Sequence, residues 1–247
     1  MSQIEKHKKN WEKLGELDPL WAILSDSSKR FNNWNLEEFL KTGEKEVENI
    51  FSELRSLDIT PAKAEMLDFG CGVGRLTRHF LKYFFKYNGA DISRPMIERA
   101  REINSGLPAE FFINEADLKI FSDNKFDFIY SGIVLQHLPN RELIKECIIE
   151  FKRILKNDGI LVFQLPSKIP WTFRFQPVRR LYNFLKLIGF SENFLYQKIG
   201  LYPIKMSFIS EVDMKEFLRD SGFEVLAIKE DTYCGPHVQS RTYYCKN

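Results

Sequence analysis

Met66-Leu67-Asp68-Phe69-Gly70-Cys71-Gly72-Val73-Gly74-Arg75-Leu76 is the stretch of this 247-residue chain on which the fold turns. An apolar run over residues 64–69 leads straight into three alternate glycines, and a helical pattern starts at once. It reads as a buried strand, a sharp turn and a helix. Glycines there let the backbone turn tightly and let a ligand lie directly against main-chain atoms. A plain strand-to-helix turn has no need of three of them. Beyond the glycines, Leu76, Phe80, Leu81 and Phe84 fall on one face, as an amphipathic helix over 76–84 requires.

The same rhythm continues outward. Residues 87–91 read as a second strand, followed by Pro95 at a helix start with Met96, Ile97 and Ala100 inside. Residues 109–113 and 126–130 are further short strands. Residues 141–156 form the clearest helix, with Leu143, Cys147 and Phe151 on one ridge and Ile144, Ile148 and Leu155 on the next; Asn157-Asp158-Gly159 stops it before a strand over 160–165. Parallel strands need crossover connections, so this alternation predicts a parallel sheet with helices on both faces. A helix over 211–221, stopped by Gly222, precedes two strands at 223–228 and 242–245, close enough to pair antiparallel. Two segments stand outside the rhythm. Residues 1–59 are mostly helical and broken at Asp18-Pro19, and residues 166–208 are rich in aromatics, proline and arginine.

Composition narrows the class. Lys and Arg number 36 against 34 Asp and Glu, a net charge of +2, with 44% hydrophobic residues and 22 phenylalanines. Wholesale disorder is excluded, and a generic nucleic-acid binder is disfavoured. No apolar run approaches the roughly 20 residues of a membrane span. The N-terminus is charged and lacks the apolar segment of a secretory signal. Cys71, Cys147, Cys234 and Cys245 include no C-x-x-C pair, and neither cysteines nor histidines show metal-ligand spacing. A reduced, cytoplasmic protein with no metal is expected, either one large domain or one with accessory pieces.

Two nucleotide-type ligands compete for the glycine loop. The dinucleotide fingerprint G-x-G-x-x-G would place a third glycine where Arg75 stands, or Thr77 if the count begins at Gly72. A nicotinamide cofactor is therefore disfavoured. Asp91 ends the second strand in Gly89-Ala90-Asp91-Ile92-Ser93, where a carboxylate can accept from both hydroxyls of a ribose. Asp117, in Asn114-Glu115-Ala116-Asp117-Leu118 after the third strand, is placed to accept from an adenine amine. Glycine loop and acids, all at strand carboxyl ends, describe a nucleoside site.

With these motifs in view, residues 60–247 resemble a class I S-adenosylmethionine-dependent methyltransferase of small-molecule type. The resemblance rests on LDFGCGVG (67–74), GADIS (89–93), EADL (115–118), FDFIYSGIVLQHL (126–138) and LKNDGILVFQLP (155–166). It implies a doubly wound, seven-stranded α/β sheet, mostly parallel with the last strand antiparallel. It implies S-adenosylmethionine as cofactor and S-adenosylhomocysteine as product. The backbone around Gly70, Cys71, Gly72 and Gly74 would hold the methionine part, with Asp68 supporting the loop. Asp91 and Ile92 would meet the ribose, Asp117 and the Leu118 backbone the adenine, and Ser131 the pocket from the fourth strand.

Transfer to an alcohol or ammonium requires loss of a proton, so a base near the methyl is sought. His137, in Tyr130-Ser131-Gly132-Ile133-Val134-Leu135-Gln136-His137-Leu138, is the first candidate, set against a merely packing role; its unperturbed pKa suits neutral pH. His237, after the Gly235-Pro236 turn, is the second, set against an ordinary exposed turn. The N-P-P-[YF] run of adenine and glutamine nitrogen methylation is missing, as is the Pro-Cys of cytosine-C5 enzymes, so a small or lipid-linked acceptor is favoured over nucleic acid. In 166–208, Trp171, Phe173, Phe175 and Tyr182 alternate with Arg174, Arg179, Arg180 and Lys186. This insert after the fifth strand reads as an acceptor-side cap, with peripheral membrane contact through 170–200 as the competing use. Residues 1–59, with Trp11, Trp21 and Trp34, read as a helical lid, of which 1–45 would close over the cofactor. A monomer or homodimer is expected. The readings set against an enzyme of this kind are a NAD-binding oxidoreductase and a non-catalytic cofactor-binding regulator.

Overall fold

The computed structural model describes residues 2–114, 117–235 and 237–247, with the side chains of Thr172 and Phe173 left aside. Among these residues the strands are β1 (Glu65–Phe69), β2 (Lys86–Asp91), β3 (Ala109–Ile113), β4 (Phe126–Ser131), β5 (Leu155–Lys168), β6 (Glu224–Asp231) and β7 (Gln239–Lys246). They form one seven-stranded sheet in the order β3-β2-β1-β4-β5-β7-β6. Strands β1 to β5 pair in parallel, and β7 lies antiparallel between β5 and β6. The doubly wound α/β sheet with an antiparallel last strand is what the resemblance implies.

Strand side chains alternate between two cores, the consequence of a two-residue repeat. On one face Leu67, Ile129, Leu161 and Phe163 pack with Ile148 and Phe151 of α6 (Arg141–Ile154) and Met214 and Leu218 of α10 (Glu211–Asp220). On the other, Met66, Phe128, Tyr130 and Val162 meet Val47, Ile50 and Leu54 of α3 (Leu36–Ser56) and Ile97 and Ala100 of α5 (Arg94–Ile103). Helix α3 opens on Asn35, whose side chain accepts from the Glu38 amide, and α6 opens on Asn140 in the same way at Leu143.

Several boundaries differ from the sequence reading: β5 begins at Leu155 and runs through Asn157-Asp158-Gly159 to Lys168 where a strand over 160–165 is expected, β6 and β7 are longer than the expected 223–228 and 242–245, and two helices are shorter. The helix expected over 76–84 narrows to α4 (Thr77–Phe80). The backbone there mixes i to i−3 bonds, as from Tyr83 to Phe80 at 2.8 Å, with i to i−4 bonds, as from Phe84 to Phe80 at 3.0 Å, while Leu76, Phe80 and Phe84 still bury their side chains. Helix α6 ends two residues early because Leu155 already pairs with Phe126 of β4. The Asn247 side-chain amide then takes up the freed carbonyls of Lys152, Leu155 and Lys156.

The segments outside the sheet frame one of its edges. Helix α1 (Gln3–Leu17) ends at Asp18, whose side chain accepts from the Trp21 amide and so starts α2 (Pro19–Ile23). After β5 come α7 (Trp171–Arg174), α8 (Pro177–Leu187) and α9 (Glu192–Gln197). Their own small core is Tyr182, Leu195 and Leu201, backed by Leu185.

Candidate functional site

Sheet order reverses between β1 and β4, and open α/β sheets carry their ligands at such a crevice. A cavity of about 860 Å³ opens there, at the carboxyl ends of β1, β2 and β4. Gly70 and Gly72 leave β1 with φ of +78° and +55°, a left-handed conformation that disfavours any side chain. A Cβ on Gly70 would strike Val134, and one on Gly72 would stand 2.5 Å from Ile23 Cδ1. The loop is fastened from β2: Ala90 carbonyl accepts from the Gly70 amide at 2.7 Å and the Cys71 amide at 3.1 Å. Asp91 completes the fastening, its carboxylate accepting from the Gly72 amide at 3.0 Å and the Ser93 amide at 2.8 Å. Burial pushes the Asp91 carboxyl up, and these amide donors work against that shift.

Asp68 lies directly beneath. It is buried, accepts from the Tyr87 hydroxyl at 2.6 Å, and is pushed up to about 7 by its burial. Beside it Arg75 donates to Glu46 of α3 at 2.6 Å and to the Thr42 hydroxyl at 3.2 Å. Tyr130 of β4 donates to the second Glu46 oxygen at 2.7 Å. Glu46, 29 residues before Arg75, thus neutralises a buried guanidinium at the foot of the loop.

The opposite half of the cavity is built from the connection after β4, the insert and the β6–β7 connection. Ile133 carries a φ of +61°, a strained state for a β-branched residue. Its amide donates to the Gln164 side-chain oxygen at 3.0 Å, and Gln164 is itself buried and bonded to Gln136 and Ser240. His137 faces the Lys205 carbonyl through Nδ1 at 2.7 Å, so Nδ1 carries the proton. Its Nε2 is 3.3 Å from the Gln136 side-chain nitrogen, and its ring lies 5.3 Å from that of Trp11. Burial lowers His137 to about 4, and lowers His7, also on the cavity wall, to about 4 with help from His137.

The N-terminal segment covers the half nearest the glycine loop. Ser93 donates to the Trp11 carbonyl at 3.2 Å, Gly15 is pressed against Ser93 and Met96, and Ile23 and Trp34 line the cavity. Of the remaining candidates, Cys71 and Ile92 line the cavity. Gly74 turns with φ +73° against Asn104 and Thr77. Ser131 is fully buried and its hydroxyl has no hydrogen-bond partner among the described residues, and Leu118 belongs to the core. Asp117 is exposed and paired with Lys119 at 2.8 Å, which holds its carboxyl below the usual range. Glu115 and Ala116 of the same motif, and Pro236 of the turn before His237, lie outside the described residues. His237 is exposed, although Thr232 and Gly235 of its connection line the cavity.

Comparison with known proteins bears on this arrangement directly. Residues 67–163, from β1 to β5, match the methyltransferase domain family. The chain is 31% identical over 151 residues to the 2-methyl-6-phytyl-1,4-hydroquinone methyltransferase of Synechocystis sp., covering 56% of this chain and 46% of that protein. It is 29% identical over 140 residues to the trans-aconitate 2-methyltransferase of an Enterobacter species, covering 56% of this chain and 52% of the relative. The chain thus spans about half the length of the curated relatives it matches. Among solved structures, magnesium protoporphyrin IX methyltransferase from Synechocystis with bound SAH superposes with a TM-score of 0.64 at 20% identity, covering all of both chains. The fold is that of the S-adenosylmethionine-dependent methyltransferases.

One wall residue of the methyltransferase domain escaped the sequence reading. Asn114, the first residue after β3, lines the cavity, and its side-chain oxygen has no hydrogen-bond partner among the described residues. Its amide donates to the Asp91 carbonyl at 2.9 Å, which sets it beside Asp91. An orphaned buried oxygen next to a strand-end carboxylate suits a nucleoside with hydroxyls and an amine to donate. Gln164 and Glu46 were also unmarked in sequence, since each acts on a loop far away along the chain. Among the described residues, no cluster of three His, Cys, Asp or Glu is placed to hold a metal ion.

Proposed function

We propose that this chain transfers the methyl group of S-adenosylmethionine to an oxygen, or a nitrogen, of a small or lipid-linked molecule. The observation that carries the reading is Asp91, fixed by the Gly72 and Ser93 amides at the edge of the cavity beneath a left-handed glycine loop. Similarity to methyltransferases of a hydroquinone and of trans-aconitate supports an acceptor of that size.

When bound, S-adenosylmethionine supplies a methyl on a cationic sulfur, so the chain's task is chiefly alignment. Asp91 accepts from the ribose hydroxyls, the Asn114 oxygen from the adenine amine, and the Gly70–Gly72 main chain lies against the amino-acid end. Trp11, Ile23 and Trp34 exclude water from that half. In this reading residues 1–59 act as the lid, and removing 1–45 abolishes cofactor affinity; a truncated chain that folds and binds as before overturns the lid. His137 takes the acceptor's proton. Because its ring stays neutral down to about pH 4, it is competent but weakly basic, which favours an acceptor that sheds its proton late, as the methyl arrives. Replacing His137 with Gln and His237 with Ala, with kcat and KM measured separately, distinguishes these two candidates. A reduced, cytoplasmic setting fits four free thiols.

Titration calorimetry with S-adenosylmethionine, S-adenosylhomocysteine and NAD tests the central claim. Both sulfur ligands are expected to bind, and Asp91→Ala to weaken them roughly 10- to 150-fold, the loss of charge-assisted hydrogen bonds. NAD binding without a response to either sulfur ligand overturns the reading.

A further inference from the structure

Ten large apolar side chains of the cap between residues 171 and 199 are exposed, more than in all the rest of the described chain. Along α8, Tyr182 and Leu185 turn inward onto Leu195 and Leu201. The outward stripe is Leu181, Phe184, Leu187 and Ile188, at the i, i+3 and i+4 spacing of one helix face, with Leu187 at 84% and Phe184 at 58% exposure. Phe190 and Phe194 stack beside it at 5.5 Å. Soluble chains do not keep so many contiguous apolar side chains in water without a use for them.

Charge says what covers the stripe. Residues 168–205 hold seven Lys or Arg and one acid, Glu192, a net of +6 in a chain whose total is +2. The remainder of the molecule is therefore net negative. Glu192 is itself taken by Lys186. Arg174 and Arg180 sit against the rings of Phe208 and Phe175, at 5.0 and 5.9 Å, which keeps cations at the margin of the apolar surface. The groove between α1 and α8 beside Leu187 is mixed in charge, with Lys6, Lys9, Lys13 and Lys186 against Glu12, Glu16 and Glu192, so the basic rim lies on the insert itself. A second copy would bring the same positive charge to the same apolar stripe. An anionic lipid surface offers apolar depth under the stripe and negative headgroups at its basic rim.

We propose that the α8–α9 cap docks the chain on an anionic membrane surface, with Leu181, Phe184 and Leu187 inserted at the headgroup boundary. No helix is long and apolar enough to cross a membrane among the described residues, so the contact is peripheral. Pro177, Val178 and Arg179, the first turn of the same helix, line the cavity. Docking therefore sets one helix between the lipid and the site, and this arrangement goes beyond the reading of the reaction itself.

Co-sedimentation of the full chain with vesicles tests the proposal. Phosphatidylcholine alone is compared with vesicles carrying roughly one-third phosphatidylglycerol. Binding is expected to be at least about tenfold stronger to the anionic vesicles and to fall away at high salt. The triple variant Leu181→Ser, Phe184→Ser, Leu187→Ser is expected to lose it while keeping thermal stability and S-adenosylhomocysteine affinity. Should that variant misfold, Arg180→Glu with Lys198→Glu is expected to remove the anionic preference alone. Equal, negligible binding to both vesicles overturns the proposal, whether or not the chain captures an acidic protein. So does a dimer in light scattering that the triple variant dissociates while vesicles go unbound. A native chain that binds vesicles but no sulfur ligand overturns the methyltransferase reading and leaves the docking intact.

Discussion

Asp68 keeps its proton in the folded chain to about pH 7, whereas unfolding returns it to the ordinary 3.8. Folding binds that proton, so this group makes stability fall as pH rises between those values. His7 and His137 act in the opposite sense. They stay neutral to about pH 4 when folded and take protons near 6.5 when unfolded, so stability falls as pH drops through that window. Asp68→Asn should remove the first slope and leave the second. Urea unfolding of the variant is then expected to gain stability more steeply from pH 4 to 6.5 than the native chain does. Glu46→Ala leaves the Arg75 guanidinium buried beside an unsatisfied Tyr130 hydroxyl, and a loss of about 3–5 kcal/mol is expected in the same assay. What could be read from sequence at this scale was whatever sits next to its own motif. Asp91 ends a strand and carries a charge, so it could be found. Asn114 follows a strand directly, but an uncharged amide gives no sign in the sequence, and its unpartnered oxygen on the cavity wall shows only in the structure.

Elements were legible where packing is local and blurred where a distant residue sets the boundary. The parallel strands β1 to β5 announce themselves by apolar runs and by the helices between them. The end of α6 does not, because Asn247, at the far end of the chain, satisfies its carbonyls. Likewise α3 looks like an ordinary amphipathic helix, and nothing in its periodicity marks Gly43 as a point of contact. A Cβ on Gly43 would stand 2.8 Å from the Arg75 carbonyl and 3.1 Å from Leu76 Cδ2. Gly43→Ala gains about 1 kcal/mol of helix propensity yet must push aside the backbone at the end of the glycine loop. A net loss of about 1–3 kcal/mol is expected from the urea midpoint, against a change within about 0.5 kcal/mol for Asn49→Ala on the exposed side of the same helix.

At the scale of the molecule, the cavity is closed by three parts, the N-terminal segment, the sheet edge and the insert after β5, and the first and last also meet directly, Tyr196 donating to Asp18 and Arg30 to the Gly200 carbonyl, each at 2.7 Å. A ligand that touches all three stabilises the whole by mass action. S-adenosylhomocysteine at about a hundred times its Kd is expected to add about 2.7 kcal/mol, a rise in Tm of roughly 5–10 °C for a chain of this size. A scan without any shift would contradict the assignment of the pocket. The assembly was foreseeable in outline, since two segments outside the strand rhythm had to go somewhere. Their joint enclosure of one space was not, because it depends on contacts such as Ser93 to Trp11, 82 residues apart. The same placement has an optical consequence. Trp11 and Trp34 stand on the cavity wall, Trp21 is buried beneath the Arg30 guanidinium at 4.5 Å, and Trp171 is alone on the cap at 71% exposure. The chain therefore carries its own pair of indicator dyes. An occupant of the cavity alters the intensity from Trp11 and Trp34, while a surface met by the cap shifts Trp171 toward the blue, so one emission spectrum separates filling from landing.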